Sequence, residues 1–457
     1  MWNTRLFQHI YIFYLFIFLL DVINLFWPND SLYMTIGLLA MFMIAINFRE
    51  ADRVFKILGV LLLSAGCFFY FSSDVPIMKI PTFFAGNIGL LFLLSMLPWM
   101  NSVVKAGRYN QLLQTLLGGN VKRMGDLYVR GEATMVSLAA FLNLSSATIS
   151  QDLLKKQLKK SKTSVRNRFI AMATLRGYSL ALLWSPLEIL LATSIFITNA
   201  NYLEVLPWML LIALLGFGFD SIIGKITFRN EMVKEVGTPS KLGKGSKKKL
   251  LEFIVALVLF LIVVVFLTNV LQFNFLFAVT IALFPFAFVW ALLLKRRKSF
   301  FQIGLSNWKR QTNHLHNFIV LLLTLSFFTE TLNASPYLRY LQDPLVALEG
   351  HQVFIMFFIQ ATFLIMTLLG VHPIATMGIF GGVSGLLLGM FPSVTLTILL
   401  ASCAIATVPS APYGLIVTLT SVSLKMNPYK IVWRNIPFSL MCGFIGILIA
   451  YCTLFLY

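Results

Sequence analysis

The chain alternates long apolar runs with short basic segments. Runs of about 20 apolar residues, the length of one bilayer crossing, fall at 7–27, 31–47, 54–73, 82–100, 169–198, 203–227, 250–270, 273–294, 317–334, 392–424 and 436–456. Two more apolar stretches, 131–151 and 348–390, carry polar or helix-breaking residues near their middles. Between the runs lie "NFREADRVFK" (47–56), the basic segment 104–130, "KKQLKKSKTSVRNR" (155–168), "KLGKGSKKK" (241–249) and "KRRKSFF" (295–301). Lys and Arg gather in cytoplasmic loops. All five segments are therefore expected inside, with the N-terminus cytoplasmic and the C-terminus extracytoplasmic.

This orientation fails at one place if every apolar stretch crosses. Stretch 131–151 is flanked on both sides by basic loops, so a single crossing there would expose one of them. The alternative is a re-entrant hairpin over 131–154, entering and turning back at its polar middle, "AAFLNLSSATIS" (139–150). Irregular backbone at membrane depth is tolerated only where protein or a water-filled cavity surrounds it. From the other side, 348–390 must leave and return if 392–424 is to end inside at Lys425, Lys430 and Arg434. Its two apolar arms meet at Gly370-Val371-His372-Pro373, residues that turn a chain. Two complete spans, 348–369 and 374–390, satisfy the same count.

Each hairpin precedes a long apolar segment broken near its centre. In 169–198 the break is Ser185-Pro186; in 392–424 it is Pro409-Ser410-Ala411-Pro412, with Gly414 close behind. Proline inside a helix removes a hydrogen bond and clashes with the preceding turn, at about 3 kcal/mol or more. Hairpin followed by broken helix occurs twice, from opposite sides of the bilayer, which divides the chain into repeats 1–249 and 250–457. Inverted repeats with interrupted helices point to a midplane binding site of a secondary transporter. Prolines that merely kink two ordinary spans are the alternative.

Composition supports a membrane protein. The 457 residues are 58% hydrophobic and 12% charged, against roughly 25% charged in soluble domains, and the mean hydropathy is +0.85. The chain is expected as a multi-pass protein of the cytoplasmic membrane, with the lipid bilayer as its main partner. Its net charge of +19 lies in the loops between spans, so nucleic acid is not expected as a partner. Cys67, Cys403, Cys442 and Cys452 all lie in apolar segments without metal-like spacing, and read as small packing residues. The first apolar run reads as a retained span, without an evident cleavage site.

The candidate site follows from the tips and breaks. Sodium is held by oxygens from freed carbonyls and from Asn, Ser and Thr side chains, while helix N-termini attract anions. Asn143, Ser145, Ser146 and Thr148 fit such a site in the first half; Thr376, Thr407 and Ser410 fit in the second, with sodium assigned to Asn143, Ser145 and Ser410. Ser185 stands at the first break. His372, one of five histidines, is a candidate anion ligand or proton carrier. Glu188, two residues beyond Pro186, is a candidate proton carrier because an intramembrane carboxylate is costly. Arg176 reads equally as a membrane-edge anchor or a substrate contact. Asp21, Asp220 and Glu330 lie near estimated span ends and read as interfacial.

The layout of about eleven spans with two opposed hairpins resembles the ion transporter superfamily. That group contains the divalent anion/sodium symporters and the arsenite-pump and sodium/proton-antiporter relatives. "FLNLSSATIS" is similar to its first-hairpin motif and "ATVPSAPYGLIV" to its second broken helix. The resemblance implies that Asn143 and its hydroxyl neighbours bind sodium and solute, and that the protein is a homodimer. Asn143 is followed by Leu144-Ser145, and His372-Pro373 stands at the second tip; neither place has the Ser-Asn-Thr signature of the dicarboxylate and sulfate symporters.

The sequence thus predicts an all-α polytopic membrane protein that carries a small anionic solute with sodium or protons as coupling ion. No catalytic role and no organic cofactor are expected: there is no phosphate-cradling Gly-x-x-x-x-Gly-Lys-Ser/Thr loop, His-Glu-x-x-His helix or Cys-x-x-Cys pair. Two alternatives stay open. One is an enzyme of cell-envelope polysaccharide assembly, of polymerase or ligase type. The other is a membrane scaffold subunit that transports nothing.

Overall fold

A computed structural model describes residues 9–109, 115–117, 121, 123–233, 244–346, 348 and 350–457. The described chain is all-helical, with one isolated bridge between Arg123 and Met232. Among the described residues eight helices are long and apolar enough to cross a bilayer, or up to ten if each of two bent pairs counts as one span. Each of the eleven predicted runs holds a helix or a broken helix. Helix α1, Ile10–Phe26, is one residue short of 18, and some others are interrupted.

The first half opens with α1, α2 (Asp30–Phe48) and α3 (Arg53–Phe71), then a 3-10 segment Ile77–Phe84 that leads into α4 (Ile88–Ala106). The 3-10 segment lies hard against α2, where a Cβ on Gly37 would fall 2.0 Å from the Pro81 carbonyl oxygen. Next come α5 (Met124–Leu142), α6 (Leu144–Gln157), α7 (Thr163–Leu182), α8 (Ile189–Thr198) and α9 (Tyr202–Thr227).

The second half holds α10 (Lys244–Asn269), α11 (Phe275–Leu293), α12 (Arg297–Asn313), α13 (His316–Asn333) and the short α14 (Leu338–Val346). It continues with α15 (Gln352–Leu368), α16 (Pro373–Gly382), α17 (Ser384–Met390) and α18 (Ser393–Ala406). After the 3-10 turn Val408–Ser410 come α19 (Leu415–Leu424) and α20 (Pro428–Thr453).

At each predicted turning point one helix ends and another begins. Helices α5 and α6 meet at Asn143 and pack on each other, and at the far end Gln157 Nε2 donates to the Leu117 carbonyl at 2.9 Å. Helices α15 and α16 meet at residues 369–372, and at the far end Gln352 Nε2 donates to the Met390 carbonyl, also at 2.9 Å. Helices α16 and α17 bend by 74° within the second return arm. The second pair of arms is thus closed at its base by a glutamine side chain, whereas Gln157 ties the end of α6 to Leu117, ahead of α5.

Two features depart from the sequence reading. The stretch beginning at the basic loop 295–301 is mostly helix α12, bent 53° from α13. Phe300, Gly304, Trp308 and Thr312, four residues apart, are its buried face, while Lys298, Lys309 and Arg310 stay exposed. Gly304 lets α12 lie against Trp99 of α4, with no room for a Cβ. This is the pattern of an amphipathic helix, and the dense charge on its outer face hides the apolar stripe. The second correction is Asp220. Expected at an interface, it is fully buried, because α9 is packed there between α5, α7 and α20.

Candidate functional site

At each turning point the local sequence explains the change of helix. Asn143 adopts φ 46°, ψ −139°, in the positive-φ half of the map where glycine is usual, at a cost of order 1–3 kcal/mol. Its side chain repays part of this: Oδ1 accepts the Leu144 amide at 2.8 Å and the Tyr178 hydroxyl at 2.5 Å. At the second tip Gly370 has φ 95°, and a Cβ there would also press on the Tyr413 ring at 2.9 Å. Tyr413 in turn shares a 2.9 Å hydrogen bond with Tyr429. Pro373 then fits the first helical turn of α16, where its missing N–H leaves nothing unpaired. His372 caps that helix, Nδ1 accepting the Ile374 amide at 3.2 Å. The neutral ring with its proton on Nε2 is the form this bond requires.

The breaks are built from proline and short polar caps. Residues 183–188 interrupt the first long segment, and Glu188 caps α8 by accepting the Leu190 amide at 3.4 Å. The Ser185 hydroxyl donates to the Ala140 carbonyl at 2.7 Å, tying the first break to the first tip. At the second break Thr407 meets Thr367 of α15 at 3.2 Å, and Ser410 meets Ser439 of α20 at 2.8 Å. Gly414 precedes α19 and offers no side chain to cap it.

Both tips and both breaks border one cavity of about 210 Å³. Asn143 and Leu144, Leu187 to Leu190, Gly370 to Pro373, and Ala411 with Tyr413 to Ile416 all line it. The first residues of α6, α8, α16 and α19 are therefore gathered at one place. Each helix N-terminus carries roughly half a positive charge on its free amides. Three of the four are capped by Asn143, Glu188 and His372; α19 has no side-chain cap. The rest of the wall is mainly apolar, with Leu58, Leu94, Leu97, Leu182, Val371 and Val408, and no Lys or Arg among the described residues lines it.

The ten predicted site residues divide clearly. Asn143, Glu188 and His372 line the cavity. Ser185, Thr407 and Ser410 instead join the breaks to neighbouring elements. Ser146 donates to the Asn143 carbonyl at 2.6 Å, and Thr148 to the Ser145 carbonyl at 3.1 Å, the usual local satisfaction of helical hydroxyls. Ser145 is half-buried. Thr376 is fully buried, and its hydroxyl lacks a hydrogen-bond partner among the described residues. No group of three or more His, Cys, Asp or Glu suited to a metal ion occurs among the described residues.

Sequence reasoning missed Tyr178, whose hydroxyl fixes Asn143, and a polar network beside the breaks. Arg176 Nη1 donates to Asp220 at 2.6 Å, Nε to Asn435 at 3.0 Å, and Nη2 to the Arg434 carbonyl at 2.7 Å. Tyr128 donates to the other Asp220 oxygen at 2.6 Å, and Ser221 to Glu132 at 2.9 Å. Arg176, Asp220 and Glu132 are all buried. The network ties together α5, α7, α9 and α20. Arg176 is therefore neither an exposed anchor nor a lining residue of the central cavity.

No protein-family model matches the sequence, and no curated protein matches it. Its fold is similar to the crystal structure of the Alcanivorax borkumensis YdaH transporter, which is described as having an unusual topology. The TM-score is 0.62 at 14% identity, over 88% of this chain and 98% of that one. The chain is thus an all-α, polytopic membrane protein. It shares its fold with a transporter.

Proposed function

We propose that the protein is a secondary transporter of the cytoplasmic membrane that carries a small anionic solute, with the central cavity as its binding site. The observation that carries the reading is the gathering of four helix N-termini around one small, largely apolar space. Such a site attracts an anionic group without a fixed cation. The uncapped amides of α19 are the open donors for it, and the leucine and valine wall suits an apolar body behind the charge. The shared fold with a transporter supports the same reading, as does the resemblance to the ion transporter superfamily.

The two turning points are proposed to be re-entrant, with the N-terminus inside and the C-terminus outside. The coupling ion is a proton or sodium, and the lining favours the proton. Glu188 and His372 are a carboxyl and an imidazole at the cavity wall, whereas Ser146, Thr148 and Ser410 already engage their hydroxyls with protein partners. Asn143 Oδ1 likewise accepts two hydrogen bonds already, which leaves Ser145 and backbone carbonyls at the tips and breaks as oxygen sources for sodium. The proposed protein has no catalytic role and works as a homodimer.

The test is uptake by purified protein in liposomes. A panel of small carboxylates and inorganic anions is offered under an imposed proton gradient and, separately, a sodium gradient. Gradient-driven accumulation of one solute, reduced on the order of tenfold or more in both Asn143→Ala and His372→Ala, is expected. Absence of uptake for the whole panel, with the panel also failing to shift thermal unfolding, would overturn the reading and leave a scaffold or envelope enzyme.

A further inference from the structure

A second cavity, of about 360 Å³, opens beside the buried network and is lined by Arg168, Arg176 and Arg434 against one acid, Asp220. The Arg176–Asp220 ion pair is internally balanced. Arg168 and Arg434 have no carboxylate partner among the described residues. Arg434 bears a further sign of incompleteness: its Nη1 is shut off from solvent and has no hydrogen-bond partner. A guanidinium nitrogen withdrawn from water without an acceptor is costly, and an anion entering the adjacent space would remove that cost. Arg168 lies over the Phe228 ring at 5.9 Å, which positions its charge at the rim.

The surroundings of the cavity are those of a lipid-facing surface. Trp433, at its edge, is 73% exposed, as interfacial tryptophans are. On one side α9 exposes Phe219, Ile222 and Ile226; on the other, α20 exposes Leu440, Phe444 and Leu448. Arg168, in the second turn of α7, ends the basic segment 155–168, expected on the cytoplasmic side, where anionic lipids concentrate.

We propose that this cavity binds a phosphate group, held by Arg168 and Arg434, with the apolar faces of α9 and α20 favouring the phosphate of an anionic phospholipid. Guanidinium forks suit phosphate oxygens in number and geometry. A soluble phosphate offers the same chemistry without tails. The site is separate from the central cavity and does not rest on the transport reading.

The full chain in neutral detergent tests this by native mass spectrometry and thermal unfolding, with phosphatidylglycerol, phosphatidylcholine of the same acyl chains, or inorganic phosphate. Wild type should retain phosphatidylglycerol several-fold over phosphatidylcholine and unfold a few degrees higher with it. Arg168→Gln and Arg434→Gln should each weaken the preference, and the double variant should abolish it; Arg434→Lys should keep part of it. A matching rise with inorganic phosphate, lost in the same variants, would support the site and identify a soluble source. Equal retention of both lipids by wild type with no effect of phosphate, or an unchanged preference in both single variants, would overturn the proposal. Should Arg434→Gln fail to fold, Arg168→Gln still decides, because its side chain is exposed.

Discussion

The two cavities hold positive charge in opposite ways. The central one is bordered by no Lys or Arg among the described residues and gathers the N-termini of four short helices. The peripheral one is lined by three guanidinium groups. Partial backbone charges bind an anion weakly enough for it to leave again, whereas full charges at low dielectric hold it. On the two proposals, passage through one site and residence in the other, the cavities should differ in what mutation does to them. Around the peripheral cavity, loss of charge should be felt as lost stability. Around the central cavity it should be felt as lost turnover.

The largest expected effect is on Asp220. Asp220→Asn leaves Arg176 buried without its counter-charge, and thermal unfolding should report a loss of about 3–5 kcal/mol. Replacing both, as Arg176→Met with Asp220→Leu, should recover much of it; no recovery would mean that the pair does more than neutralise itself. Next comes the central cavity, where His372→Ala should cut uptake on the order of tenfold, about 1.4 kcal/mol, with little change in unfolding. A large stability loss there would erase the distinction between the cavities.

A smaller effect is expected at Gly370. Gly370→Ala forces a side chain into positive φ and onto Tyr413, for about 1 kcal/mol or more of stability. The smallest net change, and the sharpest, is Asn143→Gly. It relieves backbone strain while removing the acceptor of the Tyr178 hydroxyl, so the unfolding temperature should barely move. If uptake nevertheless falls as far as in Asn143→Ala, the side chain carries the function; if it survives, only the turn matters.

The tips and breaks were legible because their causes are local. Asn143, Gly370, His372-Pro373, Ser185-Pro186 and Pro409–Pro412 punctuate apolar runs within a few residues, and the structure turns or interrupts the chain at each. What was not legible depends on distant partners. Asp220 lies 44 positions from Arg176, and Asn435 lies 259 from it, so nothing in either neighbourhood announces the network. Serine and threonine gave mixed results for a related reason. A hydroxyl near a break looks the same in sequence whether it faces a cavity or its own helix carbonyl, and most of them chose the protein. Helix α12 was concealed by composition, its four-residue stripe lying under Lys and Arg that marked the segment as loop.

The contact between Gly370 and Tyr413 has one more consequence. The second tip rests on an aromatic ring whose hydroxyl is already joined to Tyr429, so the tip cannot swing outward without either dragging that ring along or uncovering its face. Any movement of the tip is therefore expected to change the spacing of two exposed phenols. A single fluorescent label beside Tyr429, which does not line the cavity, would then report movement of the Tyr413 ring while leaving the cavity wall unchanged.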